Sequence, residues 1–156
     1  MLLNYLTSKY HRDIQDGWGA LEIGNIEKAE HHFKHVLDRE EDPHMGVLDL
    51  VDAHNGQGAC FLAHKDFFHA TRWYREAKYL LDQHFKHVWP EELHWNSQED
   101  RPVMRVLIGL GHLAYHKGNT KYAKKCYSEL LKKDPKDELG VKRYLHALEK
   151  GQEFPV

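Results

Sequence analysis

A chain of 156 residues with 22 Lys/Arg against 24 Asp/Glu, 41% hydrophobic and 29% charged residues has the size and balance of one globular domain with a core of its own. A net charge of −2 excludes a general nucleic-acid binder, which needs surplus cations to neutralise phosphates, and no apolar run approaches the ~18 residues of a membrane span. Cys60 and Cys126 stand far apart with no second cysteine near either, which excludes a CxxC redox pair and a zinc ribbon.

The opening run Met1–Leu6 has no basic leader and too short an apolar stretch for a secretory signal, so a cytoplasmic chain with reduced thiols is expected. The charge is uneven: residues 1–60 hold 5 Lys/Arg against 11 Asp/Glu, and residues 117–156 hold 10 against 6. Apolar periodicity predicts helices near 10–23, 26–40, 45–64, 67–87, 102–117 and 120–133. Asn25, Asp66 and Asn119 precede their helices as N-caps do, and Pro102 suits a first helical turn. After Pro135, Leu139, Tyr144, Leu145 and Leu148 share one face of an expected capping helix over 137–150. No alternation of β-branched residues is long enough for a strand, so the fold class is all-α.

A glycine, eleven residues, an alanine, three residues and an aromatic recur as Gly17/Ala29/Phe33, Gly58/Ala70/Tyr74 and Gly111/Ala123/Tyr127. Composition alone predicts on the order of 0.1 such matches, so the recurrence marks a structural repeat. The physical sense is pairs of antiparallel helices, with the glycine and alanine at close approaches of backbone and the aromatic filling the space between neighbouring pairs.

With Leu107, Leu110, Ala114, Gly118, Leu130 and Pro135 around its third copy, this pattern resembles the tetratricopeptide repeat. The resemblance implies antiparallel helix pairs stacked into a short right-handed superhelix with a C-terminal capping helix. The repeats would span about 10–43, 51–81 and 104–135. Asp13 and Asp16 stand where the family prefers large apolar residues, and residues 82–101 form an insert too aromatic for a solvated linker.

Family resemblance also implies an interaction module with no catalytic activity and no cofactor, binding a protein or peptide on the concave face lined by the first helix of each pair. Carried over by register, its contacts would be Trp18, Asp52, Asn55, Arg105, Ile108, His112, Tyr115 and His116, with Ile14, Leu21, Ala59 and Leu62 beside them. At the positions where the chaperone-binding members clamp a terminal carboxylate, this chain has Ile14, Trp18, Gly56, Arg105 and Gly109, a set without that clamp.

Gly56-Gln57-Gly58 and Gly109-Leu110-Gly111 follow no strand and coincide with the packing position, so they read as packing and not as a nucleotide loop. Among 14 histidines, His31/His35 and His112/His116 have the i,i+4 spacing of shared metal ligands, but no third ligand is placed by sequence; His31, His32 and His35 read as a solvated outer face. The segment His-Phe-Lys-His-Val at 32–36 and again at 84–88 is out of phase with the repeat and reads as coincidence. Two other functions remain open. One is self-association, with the acidic first repeat meeting the basic third or the insert exchanged between subunits. The other is a metal-dependent activity at His112/His116.

Overall fold

The computed structural model describes residues 9–154. The run Met1–Leu6 lies outside them. Among the described residues the chain forms seven helices and no strand: α1 (Lys9–Glu22), α2 (Ile26–Leu37), α3 (Val47–Ala63), α4 (Phe67–His84), α5 (Arg101–His116), α6 (Thr120–Lys133) and α7 (Lys142–Lys150). No helix among the described residues is long and apolar enough to cross a membrane.

Three of the connections are one and the same turn. Its middle residue is left-handed: Gly24 (φ 79°), Lys65 (φ 61°) and Gly118 (φ 81°). The residue after it sends its N–H back to the preceding helix, Asn25 to Ala20 O, Asp66 to Phe61 O and Asn119 to Ala114 O, at 2.8–2.9 Å. The same residue's side chain accepts from the N–H of Lys28, His69 or Tyr122. One side chain thus caps the second helix while its backbone closes the first.

These turns pair α1 with α2, α3 with α4 and α5 with α6. The first helices lie side by side, α1 against α3 and α3 against α5, and each second helix also packs on the next first helix. Surrounded on all sides, α3 buries every residue from Val51 to Gly58. The core accordingly divides around it, one cluster holding Ile14, Phe33, Val36 and Cys60, the other running from Val51 to Val141.

Aromatic rings key the pairs together. The Phe33 ring lies against Gly17 and Gly56, where an added Cβ would come within 2.7 and 2.4 Å of it. Tyr74 sits likewise against Gly58 and Gly109, at 2.8 and 2.3 Å. Tyr127 covers Gly111, and Tyr144 of α7 stacks on it with centroids 5.5 Å apart. What each of these glycines admits on its Cβ side is a ring. Ala29, Ala70 and Ala123 are nonetheless fully buried. Both GxG runs lie inside helices, as packing requires.

Three helix ends differ from expectation by three residues or more, α4 among them, which stops at His84 ahead of left-handed Lys86 and His87. The chain leaves α2 at Leu37 into turns over 38–45, tied down by the Tyr10 hydroxyl donating to Asp42. The segment expected to begin the capping helix at 137 is a turn, because Asp137 (φ 56°) and Gly140 (φ 69°) are left-handed and the Asp137 carboxylate accepts from Val141 N at 2.6 Å. The insert is a packed element. Leu93 is 1% exposed, its N–H donates to Lys133 O at 3.0 Å, and the Trp89 indole donates to Asp82 at 2.8 Å.

Glycines inside helices allow a paired test. Gly109→Ala drives a methyl into a ring already held by Gly58, and should lower stability by about 1–3 kcal/mol. Gly19→Ala has open space around it on exposed α1 and should raise stability by about 0.5–1 kcal/mol. Urea midpoints of the two variants check both signs.

Candidate partner-binding face

The first helices carry the sequence-predicted residues in rows, since side chains three or four apart share a helix face. At the N-terminal end of this face four of them meet one another. The Arg105 guanidinium of α5 pairs with the Asp52 carboxylate of α3 and lies 4.3 Å from the Trp18 ring of α1. Because α5 packs on α3 and not on α1, the long arginine side chain spans the middle helix and ties all three pairs. From the insert, Trp95 covers the guanidinium 5.0 Å away on another side. Arg101 holds Trp95 in place, its Nε donating to the Trp95 carbonyl at 2.6 Å.

This cluster is internal. Asp52 is 3% exposed and Asn55 is fully buried, so these two, expected as partner contacts, instead serve the interior. Asn55 Nδ2 donates to Asp52 Oδ1 at 3.3 Å and to the Pro102 carbonyl at 3.0 Å. Burial pushes the Asp52 carboxyl above its usual range, against the opposing pull of Arg105 and Asn55. The Trp18 indole N–H faces the same carboxylate and favours its charged form without reaching hydrogen-bond geometry. Burial likewise lowers Arg105. Each charge is tolerated inside because the other is there.

At the opposite end of the face Phe154, from the segment after α7, lies on α5. Phe154 stacks on Tyr115, centroids 3.5 Å apart and rings 10° from parallel. It also approaches Tyr144 at 5.0 Å. His112 sits beneath, sharing a 2.6 Å hydrogen bond between its Nδ1 and the Tyr127 hydroxyl. Burial first, then His116 and Arg143, pushes His112 down to about 4, so the ring is neutral near pH 7. His116 is exposed and stacks on Phe67 at 5.5 Å. Between the two ends Leu21, Ala59, Leu62 and Ile108 remain half-buried.

Among the described residues, no group of three or more His, Cys, Asp or Glu is placed to hold a metal ion. The outer-face expectation for the α2 histidines holds for exposed His31 and is corrected for the other two. Both turn to α1, where Asp13 takes His35 Nδ1 at 2.6 Å and His32 Nδ1 at 3.3 Å. This answers the polar departure at Asp13: a carboxylate met by two imidazoles stands where an apolar contact was expected. Both cysteines are free and buried, and burial raises Cys60 to about 12 and Cys126 to about 11, which keeps them as thiols. The two copies of His-Phe-Lys-His-Val differ in structure, the first inside α2 and the second ending α4 with left-handed Lys86 and His87.

Sequence reasoning missed Trp95, Phe154 and the Asp13 cluster. The first two lie in segments outside the repeat register, and the third joins helices through a contact no periodicity encodes.

Removing Arg105 strands a buried carboxylate. Arg105→Ala should cost about 3–5 kcal/mol, while a double replacement of Asp52 and Arg105 by leucine should recover most of it; chemical denaturation of the three proteins decides. For His112 the folded pKa lies below the unfolded one. Its contribution is therefore present above about pH 6.5 and lost as pH falls toward about 4. His112→Leu should flatten the fall in stability over that window by about 2–3 kcal/mol, read from unfolding curves at stepped pH. Compared with known proteins, the chain matches no family model and no curated sequence.

Proposed function

We propose that this chain is a tetratricopeptide-like interaction module whose three helix pairs stack into a short right-handed superhelix and whose first-helix face binds a protein or peptide partner in the cytoplasm. The observation that carries this reading is the half-buried strip of Leu21, Ala59, Leu62 and Ile108, drawn from three helices that lie side by side. A strip of this kind, preformed on packed helices, offers apolar anchoring at little ordering cost. The Arg105 cluster holds the three helices in register at one end and leaves the strip as the contact surface. On this reading Trp18, Ile108, Tyr115 and His116 touch the partner at their exposed edges, Arg105 acts mainly by shaping the face, and no catalytic role is assigned to any residue.

A photo-reactive amino acid in place of Leu62 tests the reading in the native cell, with the same group in place of Tyr79, 56% exposed on α4, as the comparison. A discrete adduct with another polypeptide at 62 and none at 79 is expected. An adduct of twice the chain's own mass would favour self-association instead, the second reading that the acidic 1–60 and basic 117–156 segments support. No adduct at 62 would count against the face.

A further inference from the structure

On the other side of α3 lies a groove between α2 and α4, two second helices that pack on α3 rather than on each other. A homologous groove runs between α4 and α6 over α5. Ala70 and Ala123 are 53 residues apart, and the same offset relates the walls: His69, Arg72, Trp73 and Glu76 in the first groove, Tyr122, Lys125, Cys126 and Glu129 in the second. It also relates the floors, His54 and Gln57 of α3 standing where α5 has Leu107 and Leu110.

The chain itself shows what the second groove accepts. Trp89 of the insert lies along it, its indole donating to Asp82 at 2.8 Å and its ring 6.0 Å from the Lys78 ammonium. The next residue, Pro90, is held through its carbonyl by Lys133 Nζ at 2.5 Å. The insert thus lays an aromatic side chain in the wall of this groove, which keeps a cavity of about 340 Å³. Among the described residues no such segment lines the first groove, which comprises two lobes of about 360 and 510 Å³ that share Phe61 and Trp73.

Its floor is polar where packing alone would favour apolar residues. His54 is 7% exposed, its ring is 5.2 Å from Trp73, and its Nδ1 has no hydrogen-bond partner. A buried imidazole nitrogen left without a partner carries a desolvation cost that packing does not return. The rim is acidic. Glu27, Glu30, Asp38 and Glu76 outnumber Lys34 and Arg72, whereas the α4–α6 groove carries Lys78, Lys125 and Lys133 against Asp82 and Glu129.

We propose that the α2–α4 groove is a second docking site, independent of the first-helix face, for an extended peptide of a partner protein that presents an aromatic side chain beside lysine or arginine. The aromatic ring enters between Phe61 and Trp73 over His54, as Trp89 lies along its own groove. The basic neighbour pairs with Glu76 or, displacing the His64 imidazole 3.0 Å away, with Glu30.

The test is titration of the full chain with an acetylated, amidated hexapeptide holding one tryptophan flanked by lysines, followed by calorimetry and by the amide and indole resonances of the protein. Saturable one-to-one binding is expected, with shifts centred on Trp73. Exchanging the peptide's tryptophan for alanine, or its lysines for glutamate, should weaken it by at least about tenfold. Glu76→Lys, on the exposed α4 surface, should do the same without altering the fold, and so should His54→Leu with Gln57→Leu, which copies the apolar floor of the next repeat. Absence of saturation up to about 1 mM would overturn the proposal. So would equal binding of all three peptides, indifference to the variants, or shifts centred on Leu62 and Ile108. None of these results touches the crosslinking at position 62, so the two sites fail separately.

Discussion

Everything in this array depends on a flat ring lying in a slot where a helix has no side chain. Residues two apart on a helix point about 200° apart, so a Gly-x-Gly run strips both sides of the same turn. In α3, Gly56 meets Phe33 on one side and Gly58 meets Tyr74 on the other; in α5, Gly109 meets Tyr74 and Gly111 meets Tyr127. Each ring therefore touches its own pair and the next. Glycine inside a helix costs roughly 1 kcal/mol, so a ring set between two glycines costs roughly 2 kcal/mol, which the about 1.5–3 kcal/mol from fully burying a large apolar side chain offsets. The ends of the array follow from the same rule. Among the described residues no helix pair precedes α1, and the position equivalent to Gly56 is there the exposed Gln15. Past α6 the chain meets Tyr127 with a ring instead of a glycine, Tyr144, and stacking ends the series.

Rings fix the distance between pairs but leave them free to slide and tilt, and the polar cluster removes that freedom. Arg105 reaches two helices away, because no shorter side chain could pair with Asp52 and also lie on Trp18. A desolvated pair of this kind adds little net stability over apolar packing, yet it penalises every arrangement in which the partners separate. The insert strengthens the penalty by laying Trp95 over the guanidinium, which keeps water from it. Geometry of the first-helix face is thus set by groups that are themselves mostly hidden from it.

Much of the fold could be read in advance, for a physical reason. Gly17, Gly58 and Gly111 recur with Phe33, Tyr74 and Tyr127 because ring and slot must lie opposite one another, and that constraint has a fixed spacing along each helix pair. Asn25, Asp66 and Asn119 were legible as caps for the same reason, their partners being three residues away. The site was less legible. Register placed Asp52, Asn55, Trp18 and Arg105 on one face, and they are there, but whether a side chain on that face meets solvent or another helix depends on reach across separate repeats. Phe154 and Trp95 come from segments with no repeat to index them. His54 left a trace that register alone could have exposed, a histidine and Gln57 at two positions where the next repeat has leucine.

The two faces meet in α3. Asp52 and Asn55 leave it toward the Arg105 cluster, His54 and Gln57 leave it toward the α2–α4 groove, and Gly56 and Gly58 between them are each closed by a ring. A helix buried on every side and keyed at two glycines has little room to shift or turn. If both proposed faces bind, α3 offers no soft element through which one would deform the other, and additive binding is expected. The segment after α7 places Phe154 on Tyr115 through ring contacts outside the helices, so a partner on the proposed first-helix face would meet Phe154 at that end.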